Sequence, residues 1–398
     1  MSPLQLSEAT LALGNAAAAA ILGVDHLYRA ESGDDEGLAV LDMSQGRLAA
    51  EPFADYAAAA ARWQELRQQA QALPEADRRT YYDQLAHSTL TVIRWRTTGL
   101  PFAEQLAGFL HVPAEPASEA TMDALKSQMR AMLNRMGYTG DIQQQFKDWE
   151  ASQRVPADEV PQVLESLLSE AWDRTAARMP IPAPKSDGMR IIPVSGVSFN
   201  ARCLFLKRQI ELNTDPILTR PGLKHLAVHE GYPGHYVQFK TREQYYTEGW
   251  APADNLLSVV NTASSSCFEG IGDYGLEMLD WVEDDNDRLA ALLNRYRAAI
   301  GTAAAWKLHA LGESVAAVTD WLRARTLAGG EGWVAGRMGF ISAPARAVLI
   351  WSYWWGEAKI LPAYQGVPPA QRPEFFQYLY GRMHSNQTVA LFPELFPL

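Results

Sequence analysis

The stretch LAVHEGYPGHYVQ, Leu226–Gln238, brings His229, Glu230 and His235 within seven residues. A histidine followed at once by a glutamate, with a second histidine close behind, is the core of a zinc-hydrolase site. The imidazoles hold the metal and the carboxylate takes a proton from water. The spacing departs from HExxH, in which the histidines stand at i and i+4 on one helix face. Here they stand at i and i+6, roughly 240° apart around a regular helix, so the rings would diverge. Pro233 and Gly234 answer that difficulty. Pro233 predicts that the helix stops or kinks near Tyr232. Gly234, free to take a positive φ, predicts a turn that folds His235 back beside His229. His225, four residues before His229, is open to three readings: ligand, support for a ligand, or surface residue.

Downstream lies SSSCFEGIGDYGLEML, Ser264–Leu279. Glu269, Asp273 and Glu277 recur at four-residue steps and are expected on one helix face. Glu269 is by type a third protein ligand, giving two histidines and one glutamate with a position left for water. Asp273, one turn on, suits the free ring N–H of a ligand histidine and would set its tautomer. Cys267, Phe268, Ile271, Tyr274 and Leu276 make the segment too apolar for a wholly solvated acidic face.

With these residues in view, the chain resembles a bacterial family of unknown function grouped with gluzincin-type zinc metallopeptidases. The family signature is HExxPGH followed by a segment like EGWALYAE; this chain has HEGYPGH at His229–His235 and EGIGDYGLE at Glu269–Glu277. IELNTD, Ile210–Asp215, is similar to the family's strand before the motif. RMGFISAPARAVLIWSYWWGEAKI, Arg337–Ile360, is similar to a stretch in which an Arg precedes PGQA, a Tyr and a Gly. The family's positions fall here on Arg337, Pro344, Tyr353 and Gly356, although Ala-Arg-Ala follows Pro344. The likeness covers roughly residues 189–360. It implies a zinc peptidase in which Tyr353 donates to the oxyanion of a tetrahedral intermediate. It also implies that the strand Gln209–Asn213 receives peptide as an added strand, with Asn213 touching substrate. Arg337 or Arg346 is a candidate partner for a substrate carboxylate.

The rest of the chain bounds these expectations. Its 398 residues allow a large core and one or two domains. A net charge of −11 and no basic run argue against a nucleic-acid partner. Cys203 and Cys267 are the only cysteines, too few for a disulfide framework. LALGNAAAAAILGV, Leu11–Val24, lacks a basic flank and is short for a bilayer span, so a buried helix, a cytoplasmic protein and no membrane partner are expected. His87, His111 and His309 stand alone and are expected to be structural. MPIPAPKSD, Met179–Asp187, cannot continue a helix and marks a boundary between an N-terminal helical region, 1–180, and a catalytic region, 189–398. Met189–Asn213 is the strand-rich part.

The expected fold is therefore mainly α, with a small antiparallel β-sheet beside a zincin-like active-site helix. The expected function is a zinc-dependent hydrolase, most simply a peptidase. One Zn2+ per chain, or another divalent ion, would be held by His229, His235 and Glu269, and Glu230 would be the general base. The alternatives are a metal-dependent hydrolase of a small amide or ester metabolite, and a metal-binding relative without activity.

Overall fold

The computed structural model describes residues 5–33, 37–182 and 184–397, without the side chain of Glu357. Helices dominate, and many of their ends follow from local chemistry. Ser7 caps the first helix, Glu8–Ser32, by accepting the Thr10 N–H, and Gly33 ends it in a left-handed conformation. Asp55, Ser118, Asp141, Thr219 and Ser314 cap later helices in the same way. The first helix runs 25 residues, longer than the apolar run suggests. It is apolar enough to pass for a membrane span, yet 61% of its most apolar window is buried within the fold.

The chain forms two compact units. One comprises residues 1–114, 237–270 and 355–398; the other comprises 115–236 and 271–354. The first unit contains a sheet not anticipated from sequence, in which β1 (Ala39–Asp42) pairs antiparallel with β5 (Leu257–Val259). Strands of four and three residues carry too little alternation to stand out. Its interior holds a buried polar network: Asp77 binds Arg78 at 2.9 Å and Arg382 at 3.1 Å, and Tyr82 donates to Asp254 at 3.0 Å.

The second unit carries the three-stranded sheet, ordered β2 (Arg190–Val194), β4 (Gln209–Asn213), β3 (Ala201–Leu204). The sheet is mixed, not antiparallel: β3 runs antiparallel to β4, but β2 runs parallel to it. The parallel pair arises because the β3–β4 hairpin turns back and leaves the far edge of β4 for β2. Consequently β4 is hydrogen-bonded on both sides, and the expectation that it accepts an added peptide strand fails. The free edge next to the motif belongs to β3, which packs on the segment bearing His229. Asn213 is likewise not a substrate contact. It is 1% exposed, donates to the carbonyls of Val197 and Phe199, and accepts the Asp215 N–H. Its amide is consumed in bracing the two loops that flank the sheet.

Candidate metal centre

The motif begins as a regular helix, Arg220–Leu226, capped by Thr219. It then widens into a π-helical turn, Ala227–Gly231, that carries His229 and Glu230. The helix stops at Tyr232, which is extended at φ −127° and ψ 118°, as Pro233 requires. The Tyr232–Pro233 peptide is cis, and a new helix starts at His235. The interruption turns His235 back so that its ring centroid lies 4.5 Å from that of His229. Gly234 serves this turn differently from expectation. Its φ is not positive; a Cβ there would lie 1.9 Å from the His229 carbonyl oxygen, so close backbone approach demands glycine.

His229, Glu230 and His235 are all buried. His229 Nδ1 stands 2.9 Å from Asp273 Oδ1, which commits that nitrogen to the carboxylate and leaves Nε2 for a metal. Asp273 also lies 3.4 Å from His225 Nε2. Burial alone would raise the Asp273 carboxyl, but hydrogen bonds from His225 and His229 outweigh it and hold the group well below the usual carboxylate range. Of the three readings of His225, the contact favours support: it shares the acid that orients His229.

Glu269 precedes Asp273 by one turn on the helix Ser265–Asp273. One ligand atom each from His229, His235 and Glu269 lies within 4.8 Å of the others, and the same holds for His225, His229 and Asp273. Donors about 2.1 Å from a tetrahedral ion stand roughly 3.4 Å apart, so the first group needs only small side-chain adjustments to close on one. Glu277 does not continue the acidic face. The helix breaks at Tyr274, and Glu277 falls on the separate short helix Gly275–Met278. Glu230 Oε2 is buried and makes no hydrogen bond. The Cys203 thiol of β3 is pushed well up, first by burial and then by the neighbouring Glu230 charge. A protonated thiol therefore lies near the carboxylate.

Gly272 and Gly275 were missed as site residues. A Cβ on Gly272 would lie 2.7 Å from His229 Nδ1, and one on Gly275 would lie 2.0 Å from Val228 Cγ1. Glycine inside a helix is unfavourable by about 1 kcal/mol, and three in close succession, Gly270, Gly272 and Gly275, were the available signal. Tyr353 is half-buried on the helix Ile350–Gly366 and lies near enough to Arg337 to interact electrostatically. Arg346 is half-buried on the short helix Pro344–Ala347. The isolated histidines have structural partners: His111 contacts the Gln84 carbonyl and packs on His87, and His309 contacts the Ile341 carbonyl.

No family model and no curated protein matches the sequence. Among solved structures, the fold is similar to a candidate lipoprotein from Colwellia psychrerythraea at a TM-score of 0.54 and 15% identity, covering 84% of this chain and 59% of that one. It is also similar to a candidate lipoprotein of unknown function from Shewanella oneidensis, at a TM-score of 0.51 and 12% identity, covering 87% and 74%. The chain thus spans 59% of the length of the first neighbour. At these identities the likeness concerns the fold.

Proposed function

We propose that the protein is a metal-dependent hydrolase of peptide-type amide bonds, with a zinc ion held by His229, His235 and Glu269. The observation that carries this reading is the approach of those three ligand atoms to within 4.8 Å of one another, with Asp273 bonded to the rear nitrogen of His229. Two imidazoles and one carboxylate suit zinc and leave a coordination position open. When bound, the ion would supply Lewis-acid polarisation of a carbonyl and lower the pKa of water. The chain's own residues then divide the remaining work. Asp273 holds His229 in the tautomer with Nε2 forward, and His225 steadies Asp273. Glu230, with a buried oxygen that makes no hydrogen bond, accepts the proton from water and passes it to the leaving amine. An extended substrate would find its free main-chain edge on β3. Tyr353 as oxyanion donor rests on the resemblance, and Arg346 as a carboxylate partner on the bidentate chemistry of its guanidinium.

Metal analysis of purified wild type beside His229→Ala tests the proposal. One zinc per chain, lost in the variant, supports it. No metal in wild type after zinc loading and removal of excess would overturn it. For location, the lipoprotein names of the two structural neighbours support an envelope association over the cytoplasm. Cell fractionation decides, with recovery wholly in the cytosolic fraction counting against the envelope.

A further inference from the structure

The helix Ile142–Gln153 sets Gln143, Lys147 and Glu150 on one face, at steps of four and three residues. Facing them are the end of the helix Val315–Arg325, the loop that follows it and the first turn of the helix Gly330–Ser342. Between these walls opens a pocket of about 410 Å³, the size of a small-metabolite site. Leu327, Ala328 and Val334 give it a buried apolar side. Most of the charges around it are already spent. Arg323 donates to both oxygens of Glu331, at 2.7 and 3.1 Å, and to Asp320 at 2.6 Å. Asp141 caps its helix by accepting the Gln144 N–H at 2.9 Å.

Two opposite charges lining the pocket remain unspent. Lys147 is exposed, and among the described residues it makes no hydrogen bond or ion pair. Glu150 is only 9% exposed; its Oε1 accepts the Gly329 N–H at 2.6 Å, while its Oε2 makes no hydrogen bond. Burial raises the Glu150 carboxyl, and the Gly329 N–H and the Arg297 and Arg154 charges oppose that rise without cancelling it. Lys147 and Glu150 stand three residues apart, a spacing at which such pairs commonly join, yet they form no ion pair. A largely desolvated carboxylate with a free oxygen is stabilised by a cation placed against it. The free ammonium one turn away is open to an anion.

We propose that this pocket binds a zwitterionic α-amino acid with an apolar side chain, its ammonium on Glu150, its carboxylate on Lys147 and its side chain against Leu327, Ala328 and Val334. An α-amino acid carries both charges on one carbon, so it bridges the gap that Lys147 and Glu150 leave open. No residue of the pocket belongs to the histidine group, and the site stands whether or not that group binds metal. Isothermal titration of chelator-treated protein with L-leucine tests it, beside N-acetyl-L-leucine, which lacks the cation, and L-leucinamide, which lacks the anion. Saturable leucine binding is expected, about tenfold or more weaker for either analogue, and weakened as much in Lys147→Gln and in Glu150→Gln. Lys147→Gln should leave leucinamide binding as in wild type, a split that a merely disturbed fold would not give. His229→Ala should leave leucine binding unchanged. Absence of saturable leucine binding, equal leucine affinity in Lys147→Gln, or loss of binding in His229→Ala, which would move the amino acid to the histidine group, overturns the assignment. The amide in Glu150→Gln keeps an acceptor for the Gly329 N–H; should that variant still fail to fold, Lys147→Gln, on an exposed side chain, decides alone.

Discussion

Asp273 says most about how the histidine group is built. One carboxylate oxygen serves two imidazoles, at 2.9 Å to His229 Nδ1 and 3.4 Å to His225 Nε2. An amide in its place keeps the shape but presents a neutral acceptor and a donor that conflicts with ring N–H groups. Asp273→Asn should therefore weaken zinc affinity about 10–100-fold in competition with a chelator; wild-type affinity would remove Asp273 from the metal's support. Glu230→Gln should bind zinc as wild type does yet lose hydrolysis of a peptide library, because the amide cannot accept the proton. Turnover near the wild-type rate would exclude Glu230 as the base. The contrast with Asn213 is instructive. Both are polar residues near the motif, but Asn213 spends its amide on two carbonyls and one N–H of neighbouring loops.

Close helix approach supports those side chains. The helix Ser265–Asp273 meets the π-turn at Gly272, where an added methyl would come within 2.7 Å of the His229 ring. Gly272→Ala separates packing from propensity. Alanine favours an isolated helix by about 1 kcal/mol, but here the ring must yield or the helix must retreat. The expected outcome is loss of zinc affinity by tenfold or more, with thermal stability falling by a modest amount or holding. Undiminished zinc binding would mean that the contact does not position His229. Gly234→Ala should be harsher, since its methyl would meet a backbone oxygen at 1.9 Å and no side chain can move aside. A lowered melting temperature, followed by circular dichroism, checks it. The sheet teaches a related point. Local apolar pattern identified 189–213 as strand-forming, but strand order depends on which edge of β4 remains after the β3–β4 hairpin forms, and pattern carries no record of that.

Stability of the folded chain as a whole should respond to pH in two opposed ways. Asp254 is buried, and burial, only partly offset by the Tyr82 hydroxyl and nearby arginines, pushes its carboxyl up to about 6. Its folded value lies above its unfolded value near 3.8, so the folded state holds the proton more tightly. Stability should rise as pH falls from 7 to about 4.5, by about 2 kcal/mol from this group. Asp77 and Asp273 act oppositely. Burial would raise Asp77, but Arg78 and Arg382 hold it well below its usual range. The stabilisation from both acids is present above their unfolded values and is lost as pH falls further through their folded ones. Denaturant titrations across pH 3–8 should show a maximum on the acid side of neutrality. Asp254→Asn should flatten the limb between 4.5 and 7, and an unaltered limb would assign it to another group.

The mainly α character, the stop at Tyr232 and the pairing of His229 with His235 were legible in the residues alone. They rest on short-range sterics and hydrogen bonding: proline before a helix restart, capping side chains, and backbone approach at Gly234. The association of Asp273 with His225, the central place of β4, the consumption of Asn213 and the meeting of Lys147 and Glu150 with Val334 at one pocket were not. Each joins segments distant in the chain, and such distances are set by how whole helices and strands pack, which no local spacing encodes.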